Sequence, residues 1–231
     1  MSDAGAYSVH DLTAQPLSGT QPHKVLPVFR PVYPTIGKRL LDLLLLMLIV
    51  PTVLPLVVLL VVVIRLSGGP AFFVQDRVGR QGRIFQFWKL RTMVVDAEQR
   101  LERYLSDNPK ARAEWDTYQK LSHDPRITRV GHVLRKTSLD EIPQLWNVLR
   151  GDMSLVGPRP MLPQQQLLYP GIAYSTLRPG LTGSWQVGQR HTSTFADRAR
   201  YDDQYAAELS FWTDLRILAA TVRVVLQGRG Q

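Results

Sequence analysis

The sequence predicts a mostly helical α+β fold: one proline-broken apolar helix, then a small domain with a short sheet and amphipathic helices. Three observations carry this. An almost uninterrupted apolar run extends from Leu40 to Ile64. An alternating stretch between Phe73 and Met93 follows it, as strands require. Beyond that, Pro109, Pro125, Pro143 and Gly151 cut the chain into segments of helical period.

The 231 residues suffice for one sizeable domain with accessories. Lysine and arginine total 28 against 19 acids, a net charge of +9. Such an excess suits nucleic acid, an anionic membrane surface or phosphorylated substrates. The absence of cysteine excludes disulfides, thiolate catalysis and Cys-ligated zinc. The five histidines are scattered and form no HExxH pair, which argues against a zinc hydrolase.

Residues 1–37 are polar and punctuated by Pro16, Pro22, Pro27, Pro31 and Pro34, and are expected to form a disordered tail. The apolar run begins too late for a signal peptide and no small-residue cleavage site follows it.

Residues 38–66 form the membrane segment. As one helix, Leu40 to Ile64 reaches ~37 Å, enough to cross a hydrocarbon core of ~30 Å. Pro51 and Pro55 interrupt it, each removing a backbone donor and bending the helix. Broken at Pro51, each half reaches only ~20 Å. Thr52 can satisfy a carbonyl freed there. Lys38 and Arg39 precede the run and Arg65, Arg77 and Arg80 follow it, so both flanks carry the charge that prefers the cytoplasmic side. Two readings stay open on these residues: a hairpin dipping into one leaflet and a kinked single-pass anchor. Asp42 can pair with Arg39 one turn earlier.

Residues 67–228 form the domain beyond. Ser67-Gly68-Gly69-Pro70 ends the apolar segment. Strand is expected at Phe73-Val74, a turn at Arg80–Arg83 and a second strand from Ile84 to Met93. Period two places Phe85, Phe87, Lys89 and Arg91 on one face. Two cations beside aromatics can there hold two oxygens of one phosphate; an exposed edge guarded by charge is the alternative. Asp96 caps a helix through Ser106, Pro109 ends it, and a second helix spans residues 110–121. Both are charge-rich, and we assign them no chemistry. After the Asp124-Pro125 turn comes a short basic helix with Arg126, Arg129 and Arg135.

Asp140 and Glu141 are adjacent acids where a helix is expected to begin, with Asp140 as N-cap and Pro143 in the first turn. Ile142, Leu145, Trp146 and Leu149 make its apolar stripe, and Gly151 stops it. The helix dipole favours negative charge at that end, and the same end attracts phosphate. Paired acids at a helix start are also ordinary capping chemistry. The neighbourhood favours reaction chemistry instead. Arg135, Lys136, Arg150 and Arg159 surround the pair, Asp152 follows, and Gly157-Pro158-Arg159-Pro160 holds a guanidinium between prolines. A carboxylate so placed stays ionised and can attack phosphorus or hold Mg²⁺ with phosphate oxygens.

Residues 178–183 form a turn-rich loop leading to Trp185, Gln186 and Val187, suited to a nucleotide base or a sugar; a packed turn with a core tryptophan is the alternative. A helix is expected from Thr194 through Glu208, and a last one over Phe211–Leu226 with a broad apolar face for membrane or core.

From about Thr35 to Gly228, the stretches KRLLDLLLL, GPAFFVQDRVGRQGRIFQFWKLRTM, DPRITRVGHVLRKTSLDEIPQLWNVLRGDMSLVGPRP and RPGLTGSWQVGQR resemble the bacterial sugar transferase family in order and spacing. These are monotopic polyprenyl-phosphate phosphoglycosyl transferases. The resemblance implies a re-entrant membrane helix and a cytoplasmic catalytic domain at the bacterial inner membrane. It implies transfer of hexose-1-phosphate from a UDP-sugar, glucose or galactose, to undecaprenyl phosphate, with UMP released and Mg²⁺ required, as the first step of exopolysaccharide or related glycan synthesis. On it, Asp140 is the nucleophile and a metal residue, and Glu141 is its acid/base or metal-organising partner. Lys89, Arg135 and Arg159 match the family's phosphate-handling cations, and Asp202 matches an acid that organises donor or metal. Arg91, Asp152 and Gln186 complete the candidate substrate-binding set. Two departures stand out: Val50 occupies the position of a serine common before the helix-breaking proline, and Gly188-Gln189-Arg190-His191 replaces a Ser-Gly-Arg sequence. A single apolar segment leads us to expect a small form without the large N-terminal membrane domain of some members.

The expected partners are UDP-sugar, undecaprenyl phosphate and membrane lipid. The sequence leaves a homo-oligomer open. No nucleic acid is expected, because acids at the centre of such a site repel phosphates. The competing class is a membrane-tethered basic module that binds anionic lipid or nucleic acid without chemistry.

Overall fold

The structure, a computed structural model, describes residues 32–118, 121–188 and 195–227. Of the tail expected over residues 1–37, positions 1–31 lie outside the described residues, as do positions 189–194 with most of the departing loop and the Thr194 helix start. Its last residues correct the expectation, because Tyr33–Gly37 is a helical turn, held where the Tyr33 hydroxyl donates to Asp214.

Helix α1 runs over Lys38–Leu66 as one 29-residue helix with Pro51 and Pro55 inside it, after a π-helical turn at Tyr33–Gly37. By length and composition it is the one described helix able to cross a membrane. The hairpin of β1 (Phe72–Val78) and β2 (Ile84–Leu90) follows, antiparallel, with Phe73 opposite Lys89 and Arg77 opposite Phe85. Its turn at Arg80–Gly82 places Gln81 and Gly82 at φ of 59° and 75°, the left-handed region that makes a glycine useful there. Helices α2 (Ala97–Asp107) and α3 (Pro109–Tyr118) meet where Pro109 was expected to break the chain. Helix α4 (Arg129–Thr137) is capped by the Thr128 hydroxyl, which accepts from the Gly131 amide at 2.9 Å. The rest comprises α5 (Gln144–Arg150), β3 (Ser154–Val156), α6 (Ala173–Thr176), β4 (Gly180–Thr182), α7 (Ser184–Val187), α8 (Arg198–Ala207) and α9 (Phe211–Leu226). Strands β3 and β4 pair in parallel. The described residues are thus mostly helical, with two two-stranded sheets.

Both ends of α1 are bonded to this body. At its start, the Lys38 ammonium donates to Asp214 at 2.6 Å and to the Tyr205 hydroxyl at 2.8 Å. Arg39 donates to the carbonyls of Val148 and Leu149 at 2.6 and 2.8 Å, in the last turn of α5, where Val148 O also accepts from the Gly151 amide. Asp42 accepts from the Leu155 amide at 2.9 Å and the Ser154 hydroxyl at 3.0 Å. The expected Asp42–Arg39 pair is therefore replaced: each residue meets a backbone group that needs it more. At the far end, Ile64 packs with Ala71, Leu90 and Leu134, and Arg91 donates to the carbonyls of Ile64 and Gly68. Between the ends, Leu46 joins a core that includes Phe85, Phe87, Val148 and Ile217. The Thr52 hydroxyl donates to Leu48 O at 3.2 Å, one position beyond the Met47 carbonyl that Pro51 frees.

One expectation about α5 is corrected. Asp140 is not its N-cap. Ser138, at φ 57°, ends α4; Leu139–Glu141 form a 3₁₀ turn, and α5 starts at Gln144 after Pro143. Proline lacks the amide that would donate to Leu139, so the chain tightens to i→i+3 bonds, such as Ile142 N to Leu139 O, before helix begins. The apolar stripe splits too. Leu145 is buried, but Trp146 and Leu149 are 52 % and 50 % exposed, while Gln144 and Asn147 turn inward. Strand β2 explains this. The Asn147 side chain donates to Gln86 O at 2.7 Å and accepts from the Trp88 amide at 3.3 Å, closing the open strand edge.

Candidate active site

The 3₁₀ turn brings Asp140 and Glu141 against the end of β2. The Lys89 ammonium lies 2.8 Å from Glu141 Oε1 and 3.4 Å from Asp140 Oδ2, so one cation bridges both acids. Phe87 stands beside it, its ring centroid 5.6 Å from that nitrogen. Arg159 approaches Glu141 to 3.8 Å. Its turn is rigid for a reason beyond the prolines: β3 and β4 come so close that a side chain on Gly157 would strike the Arg178 carbonyl, and one on Gly180 the Gly157 amide. Pro158 is fully buried.

Burial pushes the Asp140 carboxyl above the ordinary carboxylate range, against the pull of Lys89, with the Glu141 charge adding to the rise. Arg135, whose charge also acts on Asp140, donates to the Thr92 hydroxyl at 2.9 Å, and burial draws its guanidinium down. Lys89, Arg135, Arg91 and Asp140 line one cleft of about 590 Å³, in which these charged groups with Gln75 and Arg126 face apolar residues such as Phe72, Phe73 and Val95.

The structure therefore assembles Asp140, Glu141, Lys89, Arg135 and Arg159. The other candidates stand apart. Arg91 is on the cleft wall, but its guanidinium is turned to the end of α1, bonded to Ile64 O, the Ser67 hydroxyl and Gly68 O. Asp152 lies 3.4 Å from Arg150 in the turn after α5. Asp202 accepts from the Tyr169 hydroxyl at 2.7 Å, and burial pushes its carboxyl up to about 6. Gln186 is buried beside the Glu141–Arg159 side of the dyad, lining an apolar groove with both of them.

One residue was missed. Arg77 lines a small pocket with Phe87, Lys89, Glu141 and Arg159. Burial, then the Arg159 charge, draws its guanidinium down to about 10. It lies over the Phe87 ring at 5.2 Å. Reading the hairpin register, with Arg77 opposite Phe85, would have found it; counting it as a flanking charge hid it. Arg198 is the next cation outward, stacked at 4.1 Å over Trp185 and drawn down to about 10 by burial and then by Arg159.

Among the described residues, no three acids or histidines are grouped as a metal cage. The dyad offers two carboxylates side by side, a set that suits an ion sharing its coordination with substrate phosphates.

The family model for bacterial sugar transferases matches residues 33–228. A UDP-galactose-lipid carrier transferase of Erwinia amylovora is 48% identical over 170 residues, 73% of this chain and 36% of that protein. An undecaprenyl-phosphate galactose phosphotransferase of Salmonella typhimurium is 46% identical over 166 residues, 71% of this chain and 35% of that protein. The exopolysaccharide production protein ExoY of Sinorhizobium fredii is 41% identical over 198 residues, 84% of this chain and 88% of that protein. The chain spans about a third of the length of the first two relatives and most of the third.

Proposed function

Because this chain belongs to the bacterial sugar transferase family, we propose that it transfers hexose-1-phosphate from a UDP-sugar to undecaprenyl phosphate in two steps. An Asp140 carboxylate oxygen attacks the phosphorus that bears the sugar. The bond from that phosphorus to the bridging oxygen breaks, and UMP leaves with its electron pair. An oxygen of undecaprenyl phosphate then attacks the aspartyl phosphosugar, forms the lipid diphosphate and returns the carboxylate. Splitting the transfer lets a soluble donor and a lipid acceptor use one nucleophile in turn. Phosphoryl transfer depends chiefly on positioning and charge neutralisation, and the observation that carries this reading is the Lys89 ammonium clasping both acids, with Arg159 behind Glu141. The donor sugar is glucose or galactose, of which the relatives' names mention galactose, and the product opens exopolysaccharide or related glycan assembly, in keeping with the name of the third relative.

Mg²⁺ belongs to the same proposal. Asp140, with Glu141, would hold it, and it would neutralise charge on the donor diphosphate.

We place the site at the cytoplasmic face of the inner membrane, with α1 re-entrant. Both ends of α1 bond to one body, which supports this reading. A straight helix of 29 residues reaches ~43 Å, and one crossing a ~30 Å core would leave its ends on opposite sides.

The test is UMP release by the purified full chain with Mg²⁺, UDP-galactose or UDP-glucose and undecaprenyl phosphate. Asp140→Asn is expected to abolish it. Undiminished turnover in that variant would remove Asp140 as nucleophile, and no UMP from any UDP-hexose would defeat the reaction.

A further inference from the structure

The two acids of the dyad line different cavities. Asp140 lines the larger cleft with Lys89, Arg91, Arg126 and Arg135, a concentration of cations that the other cavity lacks. Glu141 lines a groove of about 510 Å³ walled by the first half of α1 and by α9, through Leu45, Ile49, Leu218 and Val222. The groove is apolar along these helices but has polar members beside the Gly157–Pro160 turn: Glu141, Arg159 and Gln186. Gln186 is 8 % exposed, and neither its amide oxygen nor its amide nitrogen has a hydrogen-bond partner among the described residues. A buried amide without protein partners is open to a hydrogen bond from a ligand or a water.

An occupant apolar along most of its length, with an anionic end at Arg159, matches this lining, in which Thr221 is the polar member on α9. A nucleotide sugar is polar throughout and suits the cleft on the Asp140 side. Resting on the transfer reaction above, we infer that the groove between α1 and α9 seats the acceptor. The isoprene units nearest the phosphate lie between the two helices, and the phosphate meets Arg159 and the Gln186 amide on the Glu141 side of the dyad. Donor and acceptor then reach one carboxylate pair by separate routes. The membrane helix itself forms one wall of the acceptor's route, so the tail enters from the bilayer without crossing water.

The full chain in detergent micelles tests this with undecaprenyl phosphate carrying a diazirine on the isoprene next to the phosphate. Photolabelled peptides are expected from α9 and the first half of α1. Excess unmodified undecaprenyl phosphate should suppress the labelling and an equal excess of phosphatidylglycerol should not. Labelling within residues 72–99, or equal suppression by the phospholipid, overturns the assignment. In parallel, Ala219→Trp narrows the groove from its exposed rim. Its KM for undecaprenyl phosphate should rise about tenfold while its KM for the UDP-sugar changes less than about twofold, because only one of two separate routes is narrowed. Equal changes in both, or none, count against the groove. Absence of UMP release from the unaltered chain would instead strike the reaction, and the photolabelling would still decide where the lipid sits.

Discussion

Lys38 and Asp214 lie 176 residues apart in sequence and 2.6 Å apart in space, with the Asp214 side chain 1% exposed. The Tyr33 and Tyr205 hydroxyls donate to the same carboxylate at 2.5 and 2.6 Å. This knot fastens the start of α1 to α9. A buried charge stripped of its counter-ion is strongly destabilising, whereas replacing both charges by apolar groups is far milder. Lys38→Met is therefore expected to destabilise the protein by roughly 3–5 kcal/mol, and Lys38→Met with Asp214→Leu by clearly less. Thermal unfolding in detergent measures both, and a double variant worse than the single one would contradict the account.

The Asp140 titration gives a pH test. Burial raises this carboxyl and Lys89 opposes the rise, so removing Lys89 moves it further up. In the proposed reaction, attack requires the ionised form. The acid limb of kcat/KM should shift to higher pH in Lys89→Met, with a loss of about a hundredfold or more at neutral pH from the missing phosphate charge. An unshifted limb would mean that another group governs it.

Asp202 has a linked effect on stability. Its carboxyl is raised to about 6 in the fold, first by burial, against an ordinary value of 3.8. The folded state thus holds its proton longer than the unfolded one. The associated stability is complete below about pH 4 and is lost as pH rises through about 6. Asp202→Asn, which carries no charge to desolvate, should have a higher Tm than the parent at pH 7.5 and lose that advantage at pH 4. A Tm difference of the same size at both pH values would exclude this origin.

The cysteine-free sequence makes topology directly measurable. Single cysteines introduced at Thr35 and at Ser67, on either side of α1, are expected to react with a membrane-impermeant maleimide from the same face of sealed vesicles. Opposite faces would sink the re-entrant reading.

Local signals in the sequence were followed closely by the fold. The turn at Arg80–Gly82, the break at Pro109 and the bounds of α9 all lie where short-range chemistry put them. The dyad was legible because two acids, a nearby proline and a Pro-bracketed arginine are close in sequence. What escaped was set by distance. Nothing near Asn147 announces that β2 leaves an edge for it to close, so α5 was given the wrong buried face. Arg77 gains its meaning only across the hairpin, and Asp42 only from β3, 112 residues away. A strand reaching Met93 was expected to put Arg91 on one face with Lys89, but β2 stops at Leu90 and the Arg91 guanidinium bonds to the end of α1 instead.

Arg39 and Arg91 each tie one end of α1 to the body that carries Asp140. The helix cannot shift or tilt without carrying Asp140 with it. Its apolar length therefore works as a depth gauge. In the re-entrant arrangement proposed above, the thickness of the leaflet would set how high Asp140 and Glu141 ride above the hydrocarbon, and so whether a phosphate tethered to a prenyl tail arrives level with them.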